Sequence, residues 1–195
     1  MKNGSVKNIQ KKVLANDWYT LNKMTFEYQK EDGDWEKQSR EAYDCGDGAG
    51  ILLYNKEKKT VVLTKQFRMP TYLNENPTGM LIEVCAGLLD GDSPEICIKK
   101  EALEETGYKI AEVQQVLESF MVPGSVMQKL YLFIGEYTDD MRVSEGGGAD
   151  YETENIEVLE YDFSKAMEMV WSGEIKDAKT MLLLQYAQIH NIIQL

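Results

Sequence analysis

A chain of 195 residues that is 43% hydrophobic and 10% aromatic is long enough to bury the core of one domain plus a small additional unit. Its net charge of −12 opposes non-specific binding to nucleic acid or to anionic membrane, because both carry the same sign of charge. The single histidine, His190, lies near the end of the chain, which disfavours a Ser-His-Asp triad, a Cys-His pair or a multi-histidine zinc site. We therefore expect chemistry that rests on carboxylates, Lys, Arg, Tyr or a metal ion.

The cysteines and the start of the chain bear on its compartment. Cys45, Cys85 and Cys97 are an odd number without Cys-x-x-Cys spacing, which is typical of a reducing cytoplasm. The first residues lack the apolar stretch of a signal peptide, and no apolar run approaches the ~18–20 residues that a membrane span needs. We expect a soluble cytoplasmic protein with neither nucleic acid nor membrane as a partner.

The first half of the chain predicts mainly strands. Residues 6–45 indicate hairpins around the Asp32-Gly33 turn, and a second pair of strands is predicted at 48–54 and 60–67. Residues 69–79, with two prolines, are predicted as a loop, and residues 80–86 as one buried strand.

The second half mixes helices and strands. Ser93-Pro94-Glu95 is a helix start, with Ser as the N-cap, and the helix is expected to end at Thr106 before Gly107. Further elements follow in order: strands at 109–121 and 129–137, a glycine-rich loop at 146–150, a strand at 156–161, and helices at 163–172 and 177–191. Because helices and strands do not alternate regularly, the pattern predicts an α+β or mixed α/β sandwich.

The run Lys-Glu-Ala-Leu-Glu-Glu-Thr-Gly-Tyr at 100–108 is the most informative segment. On a helix, Glu101 and Glu105 share one face and Glu104 lies beside them. Three carboxylates near a buried face are costly unless a hard divalent cation lies among them. The alternative is a solvated acidic helix surface, which the charge pattern by itself favours.

The strand and glycine loop that precede this helix suggest a family. Together with the glutamates, they resemble the Nudix box G-x5-E-x7-R-E-U-x-E-E-x-G-U, in which U is a bulky apolar residue. Its diagnostic second half is matched by Glu101, Glu104, Glu105, Gly107 and Tyr108. Lys100 replaces the arginine of the box and loses its bidentate fork. Ser93 or Asp92, depending on the direction of counting, stands where the box has its early glutamate.

Motifs over nearly the whole chain extend the resemblance to the ADP-ribose/GDP-mannose pyrophosphatase branch of the Nudix hydrolases. They are Gln66-Phe67-Arg68, Glu83-x-Cys-Ala-Gly87, Pro123-Gly124, Glu152-x-Glu154-x-Ile156-Glu157-Val158 and Gly173-Glu-Ile-Lys-Asp-Ala-Lys-Thr180. Val122 and Gln128 depart from the branch, which more often has Ser and an acid there, and Gln128 cannot act as a carboxylate.

The resemblance implies an architecture. We expect a Nudix domain over residues 46–195, built as an α/β/α sandwich around a mixed sheet, preceded by an antiparallel β-sheet region over residues 1–45. In this branch the N-terminal strands are exchanged in a homodimer whose two chains build each nucleotide site jointly. The alternative is an intramolecular sheet in a monomer.

The resemblance also implies the site residues. Mg²⁺, or Mn²⁺, would be held by Glu101, Glu105, Glu154 and the carbonyl of Ala86, with Glu104 in support and Glu83 acting through coordinated water. Of Glu152 and Glu154, one is expected to be the general base and the other a metal ligand, with Glu152 as the first candidate for the base; a solvated acidic loop is the alternative for the pair. Arg68 is expected to clamp the diphosphate, with Arg40 as a second candidate, and Tyr19 or Trp18 to stack on the nucleobase. Surface ion pairs and core packing are the alternatives for these four residues.

The implied reaction is metal-dependent hydrolysis of the diphosphate of a nucleoside diphosphate sugar. GDP-mannose, giving GMP and mannose 1-phosphate, is the first candidate substrate. An ADP-ribose or ADP-sugar, with ADP-ribose giving AMP and ribose 5-phosphate, is the second. A third possibility is a regulator that keeps the Nudix fold and binds a ligand without hydrolysis; such proteins usually lose glutamates of the box, and all three are present here.

Overall fold

The computed structural model describes residues 4–148 and 155–194, which form two compact units. The first unit comprises the residues up to Asp47 together with Phe120–Lys129. The second comprises Gly48–Ser119 and the described residues from Leu130 onward. In the part of the chain that the structure describes, no helix combines the length and the apolar character needed to cross a lipid bilayer.

The first unit is built on a three-stranded antiparallel sheet. Strands β1 (Val6–Asn16), β2 (Thr20–Gln29) and β3 (Trp35–Asp44) lie in chain order. The predicted turn joins β2 to β3, with Gly33 at a φ of 93°, a backbone conformation that favours glycine. Every residue of β1 is exposed. The predicted hairpin region is confirmed as a sheet of its own.

The Phe120–Lys129 segment completes this unit through β3. The Tyr43 N–H donates to the Ser125 carbonyl at 2.8 Å, and the Met127 N–H donates to the Tyr43 carbonyl at 2.8 Å. Val122, in this segment, is exposed and Gln128 is half-buried.

The second unit contains a seven-stranded mixed sheet. Its main path has the order β10-β5-β4-β9-β8, while β6 pairs with β5 and β7 pairs with β4. Strands β4 and β9 are parallel, whereas β4–β5, β4–β7, β5–β6 and β5–β10 are antiparallel. The strands are β4 (Gly48–Asn55), β5 (Thr60–Phe67), β6 (Met80–Glu83), β7 (Cys85–Leu88), β8 (Gln114–Phe120), β9 (Lys129–Glu136) and β10 (Glu157–Asp162).

The single strand predicted at residues 80–86 is wrong, because the structure forms two short strands there. β6 pairs with β5 and β7 pairs with β4, so the chain passes from one neighbour to the next at Val84. The Val84 N–H bonds a side chain, the Thr180 hydroxyl, at 2.8 Å. The segment predicted as a loop at 69–79 includes one short helix, α1 (Met69–Tyr72).

Helices cover both faces of the mixed sheet. All eight residues of β4 are buried, as expected for a strand covered on two sides. Ala49, Ile51 and Leu53 belong to the core cluster that also contains Cys97, Ile98 and Ala102 of helix α2 (Pro94–Thr106). Helices α3 (Phe163–Ser172) and α4 (Ala178–Ile189) pack on each other, α3 against β5 and β10 and α4 against β4. The result is the predicted α/β/α sandwich.

Candidate active site

The predicted ends of helix α2 are confirmed. The Ser93 hydroxyl accepts from the Ile96 N–H at 3.4 Å, with Pro94 in the first turn. Gly107 follows the last turn with a φ of 79°, and its N–H bonds the Leu103 carbonyl. Asp92, the other residue considered for the early acid of the box, forms an ion pair with Lys100. Lys100, which replaces the box arginine, therefore pairs with an acidic residue that lies just before the helix.

The three helix glutamates differ in exposure. Glu105 is 1% exposed and Glu101 is half-buried, on the helix face that also buries Ile98 and Ala102. Glu104 is exposed. The spacing argument that put Glu101 and Glu105 on one face is confirmed, and Glu104 lies at the edge of that face.

The carboxylate of Glu101 lies directly over the backbone of β7. A Cβ added to Gly87 would overlap the Glu101 carboxylate, so a residue with no side chain is required there. Gly87 follows Ala86, whose carbonyl is a predicted metal ligand. The glycine loop and the acidic helix of the sequence motif thus meet in space.

Glu105 contributes negative charge to the same region. The Cys85 thiol of β7 is buried, and this burial, followed by the charges of Glu105 and Glu101, raises the pKa of Cys85 well above its usual value. Burial lowers the pKa of Arg68, but hydrogen bonding to Glu83 and the charges of Glu83, Glu105 and Asp177 outweigh it and raise that pKa. Glu101 and Glu105 therefore converge on β7, with Arg68 close by.

Glu83, at the end of β6, is held by two cationic side chains. Arg68 Nε donates to Glu83 Oε1 at 2.7 Å and Nη2 donates to Oε2 at 3.3 Å, while Lys179 Nζ donates to Oε2 at 2.5 Å. The Glu83 side chain is 3% exposed. Burial raises the pKa of Glu83, but the Lys179 charge, with the hydrogen bonds and charge of Arg68, lowers it below its usual value.

The N-terminus of α4 fixes this arrangement. Asp177 Oδ2 accepts from the Thr180 N–H at 2.9 Å and from its hydroxyl at 2.6 Å, and Asp177 Oδ1 lies 3.0 Å from Lys179 Nζ. Thr180 is fully buried and accepts the Val84 N–H. Sequence reasoning assigned no role to Asp177, Lys179 or Thr180, although all three lie in the Gly173–Thr180 motif.

The donor set of this region suits a hard divalent cation. Buried carboxylates and a backbone carbonyl are the oxygen ligands that Mg²⁺ and Mn²⁺ prefer, and the glycine at position 87 leaves room for Glu101 beside that carbonyl. Within residues 4–148 and 155–194, no three His, Cys, Asp or Glu side chains come together as a complete metal site. The described carboxylates alone are thus only part of a ligand set.

Other predicted site residues belong to the first unit or fall outside the described residues. Arg40, Tyr19 and Trp18 belong to the first unit: Arg40 donates to the Ser39 carbonyl at 2.8 Å and to the Gln38 side chain at 3.0 Å, and Trp18 is 86% exposed. Tyr19 makes edge contacts with the rings of Trp18 and Tyr43. Glu152 and Glu154 lie outside the described residues.

Comparison with known proteins agrees with this geometry. The family model of the NUDIX domain matches residues 46–179, and that of the GDP-mannose pyrophosphatase NudK N-terminal domain matches residues 5–43. The GDP-mannose pyrophosphatases of Shigella dysenteriae serotype 1 and of Escherichia coli O157:H7 are each 51% identical to the chain over 185 residues. Each alignment covers 95% of this chain and 96% of the relative.

A solved structure shares the fold. The crystal structure of an ADP compounds hydrolase superposes with a TM-score of 0.72 at 14% identity, covering 97% of each chain. At this identity the likeness concerns the fold alone. The matched family models, the close relatives and the acidic helix facing a glycine-containing strand lead to one conclusion: this chain belongs to the Nudix hydrolase family.

Proposed function

We propose that this protein hydrolyses the diphosphate bond of GDP-mannose to give GMP and mannose 1-phosphate. The observation that carries the proposal is the convergence of Glu101 and Glu105 on β7, beside a Glu83 that two cations hold in place. Relatives named GDP-mannose pyrophosphatase, aligned over nearly the full chain, support the substrate.

The residues fit Mg²⁺, with Mn²⁺ as a substitute. Glu101, Glu105 and the Ala86 carbonyl would hold the ion, with Glu154 as a further ligand, Glu104 in support and Glu83 acting through coordinated water. When bound, the ion neutralises charge on the diphosphate and lowers the pKa of attacking water. The burial of Glu105 and the partial burial of Glu101 make them better ligands than an exposed pair, because less water competes for the cation.

The chain's own groups orient the substrate and move the proton. Arg68 uses two of its five donors on Glu83 and is 40% exposed, so its fork is pre-oriented and can also bind phosphate oxygens. Lys179 and Arg68 together keep Glu83 ionised in a fixed orientation. Glu152 would accept the proton of the attacking water.

We also propose that the chain acts as a homodimer through its N-terminal sheet. β1 exposes several apolar side chains, an unfavourable arrangement unless another surface covers them: Val6, Ile9, Val13 and Leu14 are between 42% and 61% exposed. A second copy that exchanges strands would cover them. Trp18, Tyr19 and Arg40 would then contribute to binding the nucleotide. The free thiols fit a cytoplasmic enzyme.

The test compares GDP-mannose with ADP-ribose, using purified wild-type protein, Mg²⁺ and product identification by chromatography. We expect GMP and mannose 1-phosphate from GDP-mannose, with a higher kcat/KM than for ADP-ribose. Glu105→Gln should lose activity by at least about 10²-fold, because it removes a charged ligand. A wild type inactive on both substrates would refute the proposal, and a preference for ADP-ribose would reassign the substrate.

A further inference from the structure

The C-terminal end of helix α2 receives hydrogen bonds from a distant glycine segment. The last carbonyls of any helix lack donors within the helix. Here the Gly147 N–H donates to the Glu105 carbonyl at 2.8 Å, and the Gly148 N–H donates to the Glu104 carbonyl at 3.2 Å. The residues whose carbonyls are bound in this way are two of the glutamates of the acidic helix.

These bonds belong to a longer contact between the chain before the glycines and the chain after the helix. The Val143 N–H donates to the Gly107 carbonyl at 2.9 Å, and the Lys109 N–H donates to the Met141 carbonyl at 2.9 Å. Tyr108 and Arg142 form an antiparallel bridge between them. Residues 141–148 thus run along residues 104–109 with backbone bonds over the whole length.

Only glycine fits the close approach. Gly146, Gly147 and Gly148 have φ values of 72°, 112° and 88°, which side chains disfavour. A Cβ at Gly146 would overlap the Glu105 carbonyl oxygen and would lie 2.7 Å from the carbonyl carbon of Thr106. From the other side, a Cβ at Gly107 would overlap the Ser144 carbonyl oxygen.

We propose that Gly146–Gly148 is a positioning element that sets the backbone of Glu104 and Glu105 for binding the divalent cation. Donors at this end of the helix offset the negative pole of its dipole, which lies where the carboxylates gather. Two bonds and a steric fit then fix the backbone from which the Glu105 side chain reaches β7. The inference rests on the proposed function, because it concerns the metal of that reaction.

Gly146→Ala tests the inference against a matched control, Gly173→Ala. Gly173 follows helix α3 with a φ of 77°, close to that of Gly146, but nothing lies within 4 Å of an added Cβ. Both variants place an alanine at a similar positive φ, whereas only Gly146→Ala collides with the helix bearing the glutamates. Mn²⁺ binding measured by electron paramagnetic resonance should weaken by about tenfold or more in Gly146→Ala and stay within about twofold in Gly173→Ala.

Two further measurements keep the inference testable if Gly146→Ala does not fold. Gly147→Ala adds a Cβ with only the Ile156 carbonyl oxygen near it, at 3.8 Å, and should weaken Mn²⁺ binding by straining the backbone that bonds Glu105. In wild-type protein, Mg²⁺ should slow hydrogen exchange at the amides of Gly147 and Gly148. Wild-type Mn²⁺ affinity in the folded glycine variants, or amide exchange indifferent to Mg²⁺, would overturn the inference.

The inference and the proposed function fail in different ways. If wild-type protein binds Mn²⁺ but cleaves neither nucleotide sugar, the function is wrong and the positioning role stands. If wild-type protein is active and Gly146→Ala binds Mn²⁺ equally well, the positioning role is wrong and the function stands.

Discussion

Replacing Lys179 by Met tests whether α4 holds the site together. The Lys179 side chain is 11% exposed and lies 2.5 Å from Glu83 and 3.0 Å from Asp177. Removing one partner of a buried ion pair costs about 3–5 kcal/mol, because the other charge stays buried. Arg68 still holds Glu83 with two hydrogen bonds, so the lower end of that range, about 3 kcal/mol, is expected.

Urea unfolding at pH 7 and fixed protein concentration measures this loss. In thermal unfolding of a chain of this length, a loss of about 3 kcal/mol lowers the melting temperature by roughly 6–12 °C. Lys176→Met is the matched control, since Lys176 lies three residues earlier and is exposed, and its stability should change by less than about 0.5 kcal/mol. A double-mutant cycle with Glu83→Gln should give a coupling of about 2 kcal/mol. Equal stabilities for the two lysine variants, or no coupling, would refute the role of Lys179.

Three other predictions concern Gly87, the pH dependence of the Glu83–Lys179 pair and the three cysteines. Gly87→Ala should lower the Mn²⁺ affinity by at least about tenfold, because the added Cβ displaces the Glu101 carboxylate. Circular dichroism will show whether the variant keeps the fold. An unchanged Mn²⁺ affinity in the folded variant would exclude Glu101 as a ligand. Glu83 has a lowered pKa, so its stabilising contribution is present above about pH 4.5 and is lost as the pH falls through the folded pKa. Lys179 has a raised pKa, so its contribution is lost as the pH rises above 10.5 through the folded value. A pH series of urea midpoints should show the alkaline edge in the wild type but not in Lys179→Met, whereas the acid edge should be weaker in Lys179→Met because Arg68 alone then holds Glu83. Burial raises the pKa of all three thiols, that of Cys97 to about 12 and that of Cys85 well above its usual value, but Cys45 is half-buried whereas the other two are buried. A thiol reagent at pH 8 should therefore modify Cys45 first and all three only after denaturation; fast reaction of two or three native thiols would contradict this.

Local signals in the sequence were sufficient for helix α2. Ser93, Pro94 and Gly107 define its ends through short-range hydrogen bonds and backbone preferences, and the structure has the helix at those residues. The spacing of Glu101 and Glu105 likewise determined that both lie on one face of the helix, but it did not determine that this face packs on the sheet.

Long-range contacts were beyond the reach of such signals. The apolar pattern of residues 80–86 is the same for one strand as for two, and the division at Val84 depends on a hydroxyl 96 residues later in the chain. In the sequence, Lys179 is an ordinary lysine near the start of a helix, and only the fold places it next to Glu83. The hydrogen bonds from Gly147 and Gly148 to helix α2 likewise join residues about forty positions apart, so turn chemistry alone predicts only a loop.

The hydrogen bonds that join Glu83 to Lys179 and Val84 to Thr180 also determine when the site can form. Both join residues that lie 96 positions apart in the chain. Contacts of such sequence separation are slow to form, and during synthesis the N-terminal parts fold first. Glu83 therefore acquires the Lys179 cation only after a further 96 residues have been synthesised. A chain interrupted before Lys179 would keep the acidic helix and the Arg68 bonds to Glu83 but would lack both contacts with α4, so full ordering of the site requires that α4 has folded.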